Sequence, residues 1–181
     1  TKIVLSTTII LLIWGAVILW AVETTDPSKS FTPGRDPDAS STATGHDIST
    51  FIFTSVTART AGFNTIDMAK LSNGGKLWMC GLMTVGGSPA STAGGMKTVT
   101  LAILVLVACS VLRNRNELEV YQRSISFDVI RKVLAMAVLY MGLLLTITLL
   151  LSVTMGASSE DFIDLLFESC SACGTVGLST G

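Results

Sequence analysis

From Ile3 to Val22 the chain runs 20 residues without a charge, and from Val133 to Ser159 another 27. Between Leu77 and Leu112, Lys97 is the one charge in 36 residues. A helix that crosses a bilayer needs roughly 20 predominantly apolar residues, so these stretches predict membrane helices. Composition agrees, with 49% hydrophobic and 14% charged residues. Lys2 ahead of the first stretch invites comparison with a signal peptide, but its apolar core is too long for one. Glu23-Thr-Thr-Asp26 follows it in place of a small-residue cleavage site. A net charge of −1 with no basic run gives no sign of nucleic-acid binding, and the single histidine, His46, leaves no His-based metal site.

Charge distribution orients the chain. Residues 113–132 carry Arg113, Arg115, Arg123, Arg131 and Lys132 against three acidic residues. Residues 23–47 reverse the balance, with Lys29 and Arg35 against Glu23, Asp26, Asp36, Asp38 and Asp47. The Lys/Arg bias places 113–132 in the cytoplasm and the Pro/Ser/Thr-rich stretch 24–45 outside.

Two short segments repeat one design: Thr57-Ala-Arg-Thr-Ala-Gly62-Phe-Asn-Thr65 and Ala172-Cys-Gly-Thr-Val-Gly177-Leu-Ser-Thr180. Each follows an apolar stretch of half-membrane length. Asp47–Thr57 would form about 16 Å of helix, half of a hydrocarbon core about 30 Å thick. Thr44 and Asp47 have capping-box spacing ahead of the first short helix, as do Ser158 and Asp161 ahead of the second. The separation from Asp to Gly is 15 residues in one copy and 16 in the other. Non-helical backbone at membrane depth is tolerated where protein buries it or where it lines a water-filled cavity. A half-helix that points its C-terminus at mid-membrane presents the negative end of its dipole, which favours a cation. Thr60, Ala61, Gly62 and Phe63, with Thr175, Val176, Gly177 and Leu178, are therefore the candidate filter, its carbonyls replacing a cation's hydration shell. The competing expectation for both helices is a surface amphipathic role. Arg59 is expected behind the filter or towards its outer mouth. Glu168, nine residues before Gly177, is expected to pair with Arg59, to support the filter in some other way, or to add negative potential.

The third long stretch cannot be one helix, because 36 residues would extend about 54 Å. It breaks at Gly86, Gly87, Ser88, Pro89, Ala90, Ser91, Thr92, Ala93, Gly94 and Gly95, a composition that cannot sustain a helix. A helix to about Val85, an irregular loop inside the membrane and a second helix from about Lys97 to Leu112 are predicted. An unwound loop on the cytoplasmic side of a filter is where a gate would sit. Lys97, charged within a membrane segment, marks a functional position by default; it either raises the barrier of a closed state, pairs with a pore carboxylate, or snorkels to the interface. Cys80 and Cys109 behave as small hydrophobes. Cys170-Ser-Ala-Cys173 has redox spacing without a second pair or a His, so these two are expected to pack the short helix.

Residues 57–65, 86–97 and 167–179 together resemble the Ktr/Trk/HKT superfamily, and most closely the membrane subunit of bacterial Ktr-type potassium transporters. The resemblance implies an all-α membrane protein of repeated helix–re-entrant pore helix–filter–helix units, four around one pore. Residues 1–112 would be the third unit, 113–132 a cytoplasmic linker and 133–181 a fourth unit that stops after its filter. Gly62 and Gly177 then fall on filter glycines that hold K⁺, and residues 86–97 on the intramembrane gating loop. The resemblance also implies a homodimer on a cytosolic ring of nucleotide-binding regulatory subunits, with Arg113, Arg115 and Arg123 on the contacting face. Nucleotide would act only through that partner, and no cofactor or enzymatic activity is implied. The chain reads as part of a longer transporter with the first two units and the final helix elsewhere. A Na⁺-permeable or Na⁺-coupled transporter, a non-conducting membrane anchor and a membrane redox protein using Cys170 and Cys173 are the alternatives.

Overall fold

A computed structural model describes residues 2–25, 48–64, 68–88, 91–113, 119–120, 123–124, 126–155 and 161–181. The capping-box residues Thr44, Asp47 and Ser158, together with Thr65, Pro89, Ala90 and Arg115, lie outside the described residues. The chain is helical: α1 (Lys2–Thr25), α2 (Ile48–Thr57), α3 (Asn73–Thr84), α4 (Thr98–Leu112), α5 (Phe127–Met155) and α6 (Asp161–Gly174), with a 3₁₀ turn at Met68–Lys70. The exception to the all-α expectation is a two-residue antiparallel pair, β1 (Glu119–Val120) and β2 (Arg123–Ser124), inside the segment read as a linker. Helix α5 also begins at Phe127, so the last part of that linker is already helical.

Among the described residues, two helices are long and apolar enough to cross a membrane, over Val4–Thr25 and Phe127–Met155. Leu5 and Trp14 on α1 and Leu139 and Val153 on α5 are exposed. Lipid or further protein would cover such surface at no cost, whereas water would not. The glycine-rich break falls as expected. Helix α3 ends at Thr84, and α4 begins at Thr98 after Lys97.

The core lies where α1, α2, α3 and α6 converge, around Leu19, Phe51, Met79, Met83, Phe167 and Leu178. Helix α2 packs on α1, and α6 packs on α3 and α5. Small residues set the close approaches, as is usual for helices in membranes. A Cβ at Gly15 would overlap the Ser55 hydroxyl, which donates to the Leu12 carbonyl at 3.1 Å. The Trp78 indole N–H donates to the Gly15 carbonyl at 3.2 Å. A Cβ at Gly174 would come 2.6 Å from the Met83 carbonyl oxygen, so the end of α6 can lie against the end of α3.

Two polar ties join distant parts of the chain. Lys76, buried in α3, forms an ion pair at 2.5 Å with Asp164 of α6. Removing Asp164 would strand a buried ammonium, a strongly unfavourable change. Ser72 caps α3 by accepting from the Gly75 N–H at 2.9 Å, and its hydroxyl donates to Glu23 Oε1 at 2.7 Å. A cap of this kind is worth about 1 kcal/mol, and the Glu23 carboxylate suits the positive end of α3. Glu23 was counted with the external acidic stretch; it is only 4% exposed.

Candidate ion-pathway site

Helices α2 and α6 both stop short, and each delivers its chain into the segment that carries the Thr-(Ala/Val)-Gly pattern. The backbone leaves the helices by a shared route. The Ala61 and Gly62 N–H groups return to the Thr57 carbonyl, both at 3.2 Å, and the Val176 N–H to the Ser171 carbonyl at 2.9 Å. Thr60 has φ +72° and Gly62 φ +71°; Thr175 has φ +55° and Gly177 φ +89°. Two threonines, β-branched, thus stand in the left-handed region, at about 1–3 kcal/mol each. Positive φ at one residue and again two residues later breaks the strand-like alternation, in which successive carbonyls point to opposite sides. Such a backbone can turn consecutive carbonyls towards one side. Among the described residues, no N–H or O–H donates to the carbonyls of Thr60, Ala61, Gly62, Thr175, Val176 or Gly177.

The next carbonyl along is tied back in both segments. The Thr57 hydroxyl donates to the Phe63 carbonyl at 2.8 Å, six residues ahead, and the Ser171 hydroxyl to the Leu178 carbonyl at 2.5 Å, seven ahead. Thr57 and Ser171 are buried. Sequence reasoning assigned neither a role. The signal was available: the offset of one residue between the two copies, 15 against 16 from Asp to Gly, recurs in these two bonds. Phe63 and Leu178 differ in their surroundings, since Phe63 is 70% exposed and Leu178 is in the core.

The two segments meet. A Cβ on Gly62 would overlap the Val176 carbonyl oxygen, whereas one on Gly177 would find nothing within 4 Å. Residues 86–88 and 91–97 lie against the same place. Their base is stapled by Met96 N–H to Thr84 O at 2.9 Å, Gly86 N–H to Met96 O at 2.8 Å and Thr98 N–H to Gly87 O at 3.2 Å. Gly95 (φ +73°) makes the turn, and a Cβ on Gly86 would overlap the Gly94 carbonyl oxygen. From this loop the Gly94 N–H donates to Thr175 Oγ1 at 2.8 Å. Ser88, Ser91 and Thr92 are exposed.

The charged residues find roles within the chain. Lys97 neither pairs with a described carboxylate nor extends away from the loop: its ammonium donates to the carbonyls of Ser91 at 3.0 Å and Ala93 at 2.7 Å. The loop's own exposed carbonyls are the acceptors, because its glycines and short side chains leave the backbone open. Arg59 runs behind the first segment, donating to Thr8 O of α1 and to Gly86 O, each at 3.4 Å, with Nε buried and without a partner among the described residues. Glu168 does not reach Arg59. It accepts from the Ser179 hydroxyl at 2.7 Å and the Thr180 N–H at 2.8 Å, anchoring the chain just past Gly177. The four cysteines are free thiols, and Cys80 and Cys170 sit together in the core between α3 and α6. Arg113 ends α4 as its C-cap residue and is exposed, and Arg123 lies in β2.

Comparison with known proteins gives this geometry a family. The model of the TrkH family, cation transport proteins, matches residues 1–181. The Ktr system potassium uptake protein B of Vibrio alginolyticus is 35% identical over 181 residues, which is all of this chain and 37% of that protein. The potassium/sodium uptake protein NtpJ of Enterococcus hirae is 33% identical over 182 residues, covering 38% of its length. The Ktr system potassium uptake protein D of Bacillus subtilis is 35% identical over 130 residues, 72% of this chain and 28% of that protein. The chain thus spans well under half the length of these relatives. The family is one of membrane transporters and not of enzymes, and this chain belongs to it: it is a member of the TrkH cation transport family.

Proposed function

We propose that this chain supplies two strands of the selectivity filter and the gate of a K⁺ uptake pore, the rest of which belongs to the complete protein. The observation that carries this is the paired backbone of Thr60–Gly62 and Thr175–Gly177, with φ positive at both ends of each triplet and carbonyls that meet no donor among the described residues, at the C-termini of two short helices. Carbonyl dipoles backed by helix C-termini favour a dehydrated cation and offer nothing to an anion. K⁺ at Gly62 and Gly177 is the transported ion, and no redox step or cofactor enters. A membrane anchor would have no use for two strained threonines at the ends of two short helices. Residues 1–112 and 133–181 act as the third and fourth pore units, joined by the linker 113–132. The complete protein should restore growth at limiting K⁺ to cells stripped of their own K⁺ uptake. Failure to restore growth or ⁸⁶Rb⁺ uptake despite membrane expression would overturn the assignment.

Na⁺ is the second reading. It is favoured by the Enterococcus relative, whose name is a potassium/sodium uptake protein. Competition of Na⁺ with ⁸⁶Rb⁺ in the same uptake assay separates the two.

The complete protein works as a homodimer on a cytosolic nucleotide-binding ring. The loop 86–97 continues directly into α4, which ends at Leu112 beside Arg113. A partner that binds the basic segment differently in two nucleotide states can bias the loop through α4, but only by its differential affinity for the two loop positions. Neutralising Arg113, Arg115 and Arg123 is expected to reduce nucleotide-dependent activation and leave ion selectivity unchanged, and salt should weaken the contact through screening. Nucleotide control that survives the triple substitution in reconstituted vesicles moves the contact to another surface.

A further inference from the structure

We propose that the Thr175 side chain is the catch that holds the intramembrane loop against the second filter segment, so that loop position and filter conformation change together. This rests on the filter-and-gate assignment of the same residues. The loop's base is held by its own hydrogen bonds to Thr84, Met96 and Thr98. Its far limb meets the second filter segment through Gly94 N–H to Thr175 Oγ1 at 2.8 Å. The fit there is tight, since a Cβ on Gly94 would come 2.7 Å from both Thr175 Cγ2 and Oγ1, and 2.9 Å from the Gly174 carbonyl oxygen. The opposite limb is tied to the first filter segment by Arg59 to Gly86 O at 3.4 Å.

A loop that swings aside must give up the Gly94–Thr175 bond. Thr175 is the same residue whose positive φ, +55°, opens the filter triplet. Release of its side chain therefore loosens the constraint on a strained backbone that lines the ion path. Linkage makes the coupling reciprocal: whatever loop displacement does to ion binding at Gly177, ion binding does equally to loop displacement. Thr175 acts here as a positioning residue, through its hydroxyl, in addition to any carbonyl contact with the ion. The hydroxyl oxygen is the acceptor, so serine can replace it and valine, of similar shape, cannot.

The test uses the full-length transporter in lipid vesicles with a cysteine probe on the loop, Thr92→Cys, an exposed position. Its rate of modification by a charged methanethiosulfonate reagent is read against the same protein without the probe. With Thr175→Val the probe is expected to react several-fold faster than in the parent, and ⁸⁶Rb⁺ flux without activating nucleotide to rise. Thr175→Ser, which keeps the acceptor, should return the probe rate to the parent value. Thr175→Ala, which also lacks the acceptor and adds no bulk, replaces valine if that variant does not reach the membrane. Equal probe reactivity in the valine (or alanine) and serine variants overturns the catch. Deletion of residues 88–92 is measured beside them: if it leaves flux unchanged, the loop is not a gate, whatever the probe reports.

Discussion

Gly62→Ser in the full-length protein is expected to raise the half-saturation constant for K⁺ uptake by about tenfold, which is about 1.4 kcal/mol at the filter. The serine would have to hold φ +71° and place its Cβ on the Val176 carbonyl oxygen. A side chain in the left-handed region costs about 1–2 kcal/mol for the backbone alone, and relief of the overlap must move a carbonyl of the neighbouring segment. Both changes fall on groups that would contact the ion. Gly177→Ser should be milder. Its φ of +89° is strained for serine, but nothing lies within 4 Å of a Cβ there. Its main effect is a hydroxyl that competes as a ligand and admits Na⁺. Uptake kinetics in K⁺-starved cells, with membrane expression measured in parallel, check the order. Unchanged K⁺ affinity in both variants at normal expression would remove these glycines from the filter.

Removal of Ser88–Thr92 should act in the opposite direction and increase flux, on the order of tenfold if the loop adds about 1.4 kcal/mol to the barrier. The described residues among them, Ser88, Ser91 and Thr92, are exposed in the loop. The bonds from Gly86 to Met96 and from Thr84 to Met96 close its base on either side of them. Without them the loop is five residues shorter, while the triplets Thr60–Gly62 and Thr175–Gly177 keep their own anchors at Thr57, Ser171 and Glu168. Gly94, which meets Thr175, lies outside the deletion, so selectivity should survive it. Paired glycines on either side of this stretch, Gly86-Gly87 and Gly94-Gly95, suit a segment that must absorb large dihedral changes. A variant that folds, stays selective and conducts no faster than the parent would make the segment a structural kink.

These two expectations differ in how much of their basis could be read before the fold was known. Absence of charge was enough to locate α1 and α5, because a bilayer demands length and apolarity and little else. The glycine pairs around Pro89 were enough to end α3 and start α4 within a residue of where the structure has them. The start of α3 was not legible. Asn73-Gly74-Gly75 is a poor helix opening by propensity. What secures it is the contact of Ser72 with Glu23, 49 residues earlier. The Lys76–Asp164 pair spans 88 residues and leaves no local trace. For Lys97 and Glu168 the sequence marked the residue and missed the partner. A charge in an apolar stretch is conspicuous, but the acceptors of Lys97 are backbone carbonyls of Ser91 and Ala93, and the donors to Glu168 are the Thr180 N–H and the hydroxyls of Ser179 and Thr180, groups too common to single out. The strained φ of Thr60 and Thr175 was likewise invisible, since threonine in a membrane segment carries no mark of a left-handed backbone.

The most direct measurement is the position of a heavy monovalent cation, Tl⁺ or Rb⁺, located by anomalous scattering in crystals of the complete protein. Peaks lined by the carbonyls of Thr60–Gly62 and Thr175–Gly177, lost when Li⁺ replaces the heavier ion, are the predicted result. Ion density confined to other surfaces, with these carbonyls turned away from it, would contradict the assignment of the two segments as filter strands.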